Sequence, residues 1–275
     1  MMHVALLEDV LAVVSTRIGV AVYDFDFELY FRCRHPTFFD EATPCVLRVG
    51  AVEDYRARYQ ELREWGLRPV NTPEQHERAS ELAVWYPLLT DMTPRTRIFE
   101  SLPETTQIER EFEWPIFLKG SRQTSKHNAK LSVIGDRDHY AWASERYRRD
   151  PVLHWQRPVV REFVPLQAVA GGIAGKVPAS MEFRSFWWQG ACVGWGRYWY
   201  QAAQYACDDI DDGLALAAEA ARRLRVPFLV VDIAKTADGR WIVIECNDAQ
   251  ESGYAAAAPR AIWSTIIESL QTGAA

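Results

Sequence analysis

The sequence has no apolar run near the ~18 residues that a membrane-spanning helix requires, so no membrane segment is expected. It has no C-x-x-C pair. Its five cysteines, Cys33, Cys45, Cys192, Cys207 and Cys246, are odd in number and far apart. That excludes a disulfide framework and a cysteine zinc site, and it fits a reducing compartment. Positive charge is not in excess. A net charge of −6 argues against broad electrostatic binding to nucleic acid or to an anionic membrane. The N-terminus, Met1-Met2-His3 followed by Glu8-Asp9, places no basic region ahead of an apolar segment. No secretory leader is expected, and a cytoplasmic setting is. Residues 1–94 hold no glycine-rich phosphate loop, so a Rossmann or Walker-type site has no support there.

What is present is an ordinary globular balance, with 48% hydrophobic and 25% charged residues. The 275 residues suffice for one large or two to three small domains. Residues 1–94 read as an α/β domain. Val4–Leu7, Gly19–Val22 and Cys45–Val49 are strand candidates. Val52 to Trp65 reads as a helix, with Tyr55, Tyr59, Leu62 and Trp65 at helical spacing and Gly66 as its stop. Leu67–Val70 is a short strand, and Asn71 or Thr72 caps a helix beginning at Pro73. This alternation predicts a small parallel sheet.

A boundary falls near Thr93–Arg97. The apolar run Trp114–Lys119 then leads into Gly120–Lys130, a polar loop carrying Arg122, Lys126, His127 and Lys130. Strand, cationic loop and strand form either a phosphate lid or a solvated hairpin. Asp136–Arg149 reads as a helix, Arg157–Val164 as a strand, and Gln167–Ser180 as a glycine-rich connection. Met181–Trp188 and Ala191–Tyr200 form a β pair turned at Gln189-Gly190, with Glu182 and Arg184 on one face. A helix capped by Asp208 or Asp209 runs to Arg225 with an apolar stripe.

The most informative stretch is Phe228–Gln250, FLVVDIAKTADGRWIVIECNDAQ. Two β-rich runs flank Asp238-Gly239, a strong hairpin signal. Glu245 and Asn247 share a strand face, and Asp232 reaches that face in the right register. Two carboxylates and an amide are hard oxygen donors of the kind that suit magnesium. The competing reading is a hairpin with acids at its solvent rim.

An aspartate, a hairpin and Glu-x-Asn together resemble the metal-binding end of the ATP-grasp family. The resemblance extends over residues 95–270, because other family positions are matched in order upstream. It implies an ATP-grasp fold of α/β (α+β) class. An N-terminal α/β domain (1–94) would precede a lid subdomain (95–164) and a C-terminal subdomain (165–275), with ATP clasped between the last two. It implies that Lys119, Lys126 and Lys130 contact phosphates, and that Arg161-Glu162-Phe163-Val164 contact adenine. Arg184 would face the reacting groups. Asp232, Glu245 and Asn247 would bind magnesium. The loop departs from the family pattern in holding only Gly120, and no second upstream lysine is evident, a place that Arg95 or Arg97 could take.

Within the family, the sequence resembles most the arginine- and lysine-rich subgroup that includes eukaryotic cell-division-cycle translation-factor assembly proteins. The expected activity is ATP- and magnesium-dependent joining of a carboxylate to an amine, from small molecules or peptides, through an acylphosphate. The alternative is an ATP-binding assembly or regulatory protein with little turnover. A third reading, a non-nucleotide α/β protein, makes these positions structural.

Overall fold

A computed structural model describes residues 2–16, 25–39, 43–50, 52, 54–124, 128–171 and 177–273. The strand expected at Gly19–Val22, and Lys126 and His127 of the basic loop, lie outside the described residues.

The first sheet holds β1 (Met2–Leu7), β2 (Leu11–Thr16), β3 (Cys33–Arg34), β4 (Thr43–Arg48) and β5 (Leu67–Pro69), in the order β3-β1-β2-β4-β5. It is mixed rather than parallel as expected. β4 runs parallel to β2 and β5, but β1 is antiparallel to β2 and β3. The difference arises at a tight turn. Glu8 and Asp9 take positive φ, 45° and 62°, and fold β2 back on β1. Such turns usually carry glycine or asparagine, so the hairpin had no sequence signal. Here ion pairs from Arg32 and Arg34 hold the two acids in place.

Three helices follow: α1 (Tyr55–Glu64), α2 (Pro73–Ser80) and α3 (Leu82–Trp85). α1 starts later than expected because Asp54 caps it, accepting from the Ala57 amide at 2.9 Å. Thr72 and Gln75 cap α2 reciprocally, with Pro73 at its first position.

The second sheet is antiparallel, with β6 (Thr96–Ile98), β7 (Ile116–Gly120), β8 (Val133–Ile134) and β9 (Pro158–Glu162) in the order β6-β9-β7-β8. Its helices are α4 (Thr105–Ile108), α5 (Ala129–Ser132) and α6 (Arg137–Tyr147). Asp136 caps α6, accepting from the His139 amide at 2.8 Å. α5 leads directly into β8.

The third sheet is also antiparallel, in the order β11-β10-β12-β13. Its strands are β10 (Glu182–Trp188), β11 (Ala191–Arg197), β12 (Phe228–Lys235) and β13 (Trp241–Asp248). Period-two alternation gives it two apolar faces. Phe183, Trp187, Val231 and Ile233 pack on α7 (Ile210–Leu224) through Ala217, Ala220 and Leu224. Phe186, Trp188, Phe228 and Val230 pack on α8 (Pro259–Thr272) and on Leu7, Leu11 and Val13 of the first sheet. This second face changes character along the strands. Its apolar end anchors the N-terminal sheet, and its other end carries charge.

Arg48 locks that junction. Its buried guanidinium donates to the carbonyls of Ala249, Gln250 and Ser252, at 2.7, 3.1 and 2.9 Å. The segment following β13 is thereby fixed to β4. Together these elements form three sheets in a fold of mixed α/β content.

Candidate active site

The charged end of the third sheet is one row across three strands. Arg184 stands opposite Asp232, and Asp232 stands opposite Glu245. The register that the sequence left open therefore does place Asp232 with Glu245. Just beyond, the β12–β13 pairing shifts by one residue. That bulge comes after the row, so Glu245 keeps its place opposite Asp232, and Asn247, opposite Val230, stays on the same face. Asp232 is fully buried, Glu245 is buried and Asn247 is half-buried.

Both carboxylates already have cations. Arg184 grips Asp232 in a fork, with Nε to Oδ1 and Nη2 to Oδ2 both at 2.8 Å. Its Nη1 donates to the Gly253 carbonyl at 2.9 Å. Burial pulls the Arg184 pKa down, but the charge and hydrogen bonding of Asp232, with Tyr198 and Glu245, together raise it above the usual arginine range, so it stays charged. Lys119, at the end of β7 in the facing sheet, donates to Glu245 Oε1. Buried charges need such partners, since an isolated ion in the interior costs several kcal/mol (order of magnitude).

Arg161 on β9 adds a third buried cation. Its Nε donates to Thr96 Oγ1 at 3.0 Å and its Nη1 to the Ile244 carbonyl at 2.7 Å, while Nη2 has no hydrogen-bond partner among the described residues. Burial lowers its pKa to about 10, against the pull of Glu245. Arg161 lines a cavity of about 520 Å³ between the second and third sheets. Phe117, Val133, Phe163, Val164 and Ile242 make much of its wall apolar, and Lys130, Glu162 and Glu182 add polar groups. Of the expected site residues, Lys130, Arg161, Glu162, Phe163 and Val164 line this cavity, while Lys119, Arg184, Asp232, Glu245 and Asn247 are not part of its lining and stand along the row of buried ion pairs. Arg95 and Arg97 are turned elsewhere, Arg95 over the Phe112 ring and Arg97 toward Glu111.

The basic loop begins as an anchored segment. The amides of Arg122 and Gln123 both donate to Gln156 Oε1 at 2.8 Å, and the Ser121 carbonyl accepts from the Leu82 amide at 3.1 Å. Gly120 is required here, because a Cβ would stand 2.2 Å from the same Gln156 oxygen.

A buried polar network beside this loop escaped the sequence reading. Arg122 Nη2 lies 2.9 Å from His76 Nε2, and His76 Nδ1 lies 3.0 Å from Asp248 Oδ2. A guanidinium only donates, so His76 accepts at Nε2 and donates from Nδ1. Tyr55 stacks on His76 with ring centroids 4.0 Å apart, and Gln250 bonds both Tyr55 and Asp248. Burial pushes Glu251, beside His76, up to about 7.

The family model for the ATP-grasp domain, R-2-K clade family 3, matches residues 101–266, more than half of the chain. The chain belongs to this ATP-grasp family. Solved structures agree on the fold. VanG D-Ala:D-Ser ligase from Enterococcus faecalis matches with TM-score 0.59 and 13% identity, over 83% of this chain and 72% of that chain. The RimK domain ATP-grasp protein from Sphaerobacter thermophilus DSM 20745 gives 0.55 and 15%, over 82% and 78%. The ATP-grasp ligase PsnB, solved with a minimal precursor, Mg and ADP, gives 0.52 and 13%, over 98% and 85%. The chain spans only about half of N5-carboxyaminoimidazole ribonucleotide synthetase from Thermotoga maritima and of the related synthase from Aspergillus clavatus. At these identities the likeness is one of fold. No curated protein matches the sequence. No helix among the described residues is long and apolar enough to cross a membrane.

Proposed function

We propose that this ATP-grasp protein is an ATP- and magnesium-dependent ligase that joins a carboxylate to an amine. The observation that carries the reading is the pairing of each candidate metal carboxylate with a candidate phosphate cation, Glu245 with Lys119 and Asp232 with Arg184. Such pairs keep the buried charges neutral in the free protein. A polyanion and a divalent cation arriving together can exchange partners with them without leaving a buried charge bare.

The residues fit these groups. A cavity of about 520 Å³ lies within the range of small-molecule sites. Arg161 Nη2 supplies a buried donor beside it, without a hydrogen-bond partner among the described residues. Asp232, Glu245 and Asn247 supply hard oxygens and would hold magnesium, which when bound offsets phosphate charge. In this reading Arg161, Glu162, Phe163 and Val164 receive the adenine. Lys119, with Lys126 and Lys130, holds phosphates as point charges, and Arg184 clamps a carboxylate or phosphate through its fork. The substrate carboxylate oxygen attacks the γ-phosphorus, ADP leaves, and an acylphosphate results. The amine then attacks the acyl carbon and phosphate leaves.

We place the domain divisions at 1–94, 95–164 and 165–275, one sheet in each. Of the neighbours, VanG is named for joining two amino acids and PsnB was solved with a precursor. Small-molecule and peptide carboxylates and amines are therefore the classes to test. Five free cysteines and the use of ATP suit a cytoplasmic setting.

The test is release of ADP and phosphate on incubation with ATP, magnesium and panels of acids and amines. Turnover that needs one particular acid and amine supports the ligase. Tight ATP binding with no acid or amine dependence favours instead the assembly protein with little turnover, as in the translation-factor subgroup that the sequence resembles.

A further inference from the structure

The N-terminal sheet carries a second constellation, remote in kind from the magnesium-type oxygen set. His3 on β1, Glu28 in a short 3-10 turn (Phe27–Leu29) and His35 just past β3 each direct one donor atom to a common point. Those three atoms all lie within 4.8 Å of one another. The imidazole centroids of His3 and His35 are 4.7 Å apart.

The protonation of His35 is fixed by its neighbour. Its Nδ1 stands 3.1 Å from the Val4 carbonyl, which only accepts, so Nδ1 carries the hydrogen. Nε2 is then the atom facing Glu28, 3.4 Å from Oε1. An imidazole lone pair and a carboxylate oxygen hold together at that range only with a cation between them, either a proton or a metal ion. A ring nitrogen bound to a backbone carbonyl, with the other nitrogen turned to a carboxylate, is the arrangement that orients histidine ligands in metal sites. The spacing suits a metal as well. Two ligands each about 2.05 Å from zinc at a tetrahedral angle stand about 3.3 Å apart.

We propose that His3, Glu28 and His35 bind one borderline divalent transition-metal ion of the zinc type. Two imidazoles and one carboxylate select zinc over magnesium or calcium, which prefer all-oxygen sets. Three protein ligands leave the fourth position to water. His35 and Glu28 have side chains 45% and 50% exposed, so an ion reaches the site without opening the fold. The ion would tie the 3-10 turn to the β1–β3 edge, where β3 contributes only two residues of pairing.

The test is zinc titration by calorimetry on the full chain freed of any histidine tag, with visible absorption after cobalt addition. The expected result is one zinc ion per chain and cobalt bands of a low-coordinate site. His35→Ala and His3→Ala should each weaken zinc by at least about tenfold, and the double variant should lose the cobalt bands. Neither side chain is part of the packed core, so the variants remain folded, which circular dichroism verifies. No zinc binding by the unaltered protein overturns the proposal. So does zinc binding that persists unchanged in the double variant, since the ion then sits elsewhere, the oxygen set of Asp232 and Glu245 included. ATP binding is read separately, so its failure leaves this result standing.

Discussion

Lys119 on β7 donates to Glu245 on β13, 126 positions further along the chain, and so bridges the second and third sheets. If magnesium and phosphate replace these two as partners, removing the lysine has opposite effects on stability and on metal response. Lys119→Met should destabilise the metal-free protein by on the order of 3 kcal/mol, because the Glu245 carboxylate loses that cation. Magnesium chloride should then raise the melting temperature of the variant more than that of the unaltered protein. Equal magnesium shifts in the two would show that Lys119 and the metal do not compete for Glu245.

Glu245→Gln probes the other partner. The sequence alone suggests that removing one of several clustered acids relieves repulsion and spares the fold. The pairing alters that expectation, since Asp232 is matched by Arg184 and Glu245 by Lys119. The substitution turns an ion pair into a hydrogen bond from a buried ammonium to a neutral amide. A loss of about 1–3 kcal/mol is expected in urea unfolding, together with loss of magnesium-dependent ATP turnover. Full stability and wild-type turnover in this variant would contradict the assignment.

Glu251 gives a pH dependence with a definite sign. Burial raises its carboxyl from the ordinary glutamate value to about 7, with the Arg122 cation pulling the other way. A raised acid holds its proton more tightly in the folded chain. Its favourable contribution is complete below the unfolded value near 4.5 and is lost as pH rises through about 7. Glu251→Gln should therefore flatten the fall in stability between about pH 5 and 7, by on the order of 3 kcal/mol at most. Denaturant midpoints at both pH values, in variant and unaltered protein, decide this. Parallel slopes would rule Glu251 out as the source.

Gln156 holds the start of the basic loop through two amides. Gln156→Ala should speed hydrogen exchange at Arg122 and Gln123 and weaken ATP binding, with the cavity wall untouched. Unchanged protection at those amides would mean that the loop is held by other contacts.

Much of this was legible in the sequence because local and long-range signals agreed. The Asp238-Gly239 turn set the β12–β13 hairpin, and period-two spacing put Glu245 and Asn247 on one face. The Thr72 cap and the Gln189-Gly190 turn were of the same local kind. The Glu8-Asp9 turn was hidden because its residues seldom take positive φ. The His76, Arg122 and Asp248 network was hidden because its members meet only in three dimensions, 46 and 172 positions apart. Of the cations on Asp232 and Glu245, Lys119 was expected at the phosphates and Arg184 at the reacting groups. Their pairing with the acids was not, since spacing along a chain does not show what faces across a cleft.

The most direct measurement is calorimetric titration of ATP into the folded protein with magnesium and again with a chelator. The account predicts saturable binding that weakens by at least about tenfold, or about 1.4 kcal/mol, when magnesium is removed. No heat of binding at millimolar ATP, or equal affinity with and without magnesium, would contradict the claim that Lys119, Arg184, Asp232 and Glu245 form a nucleotide and metal site.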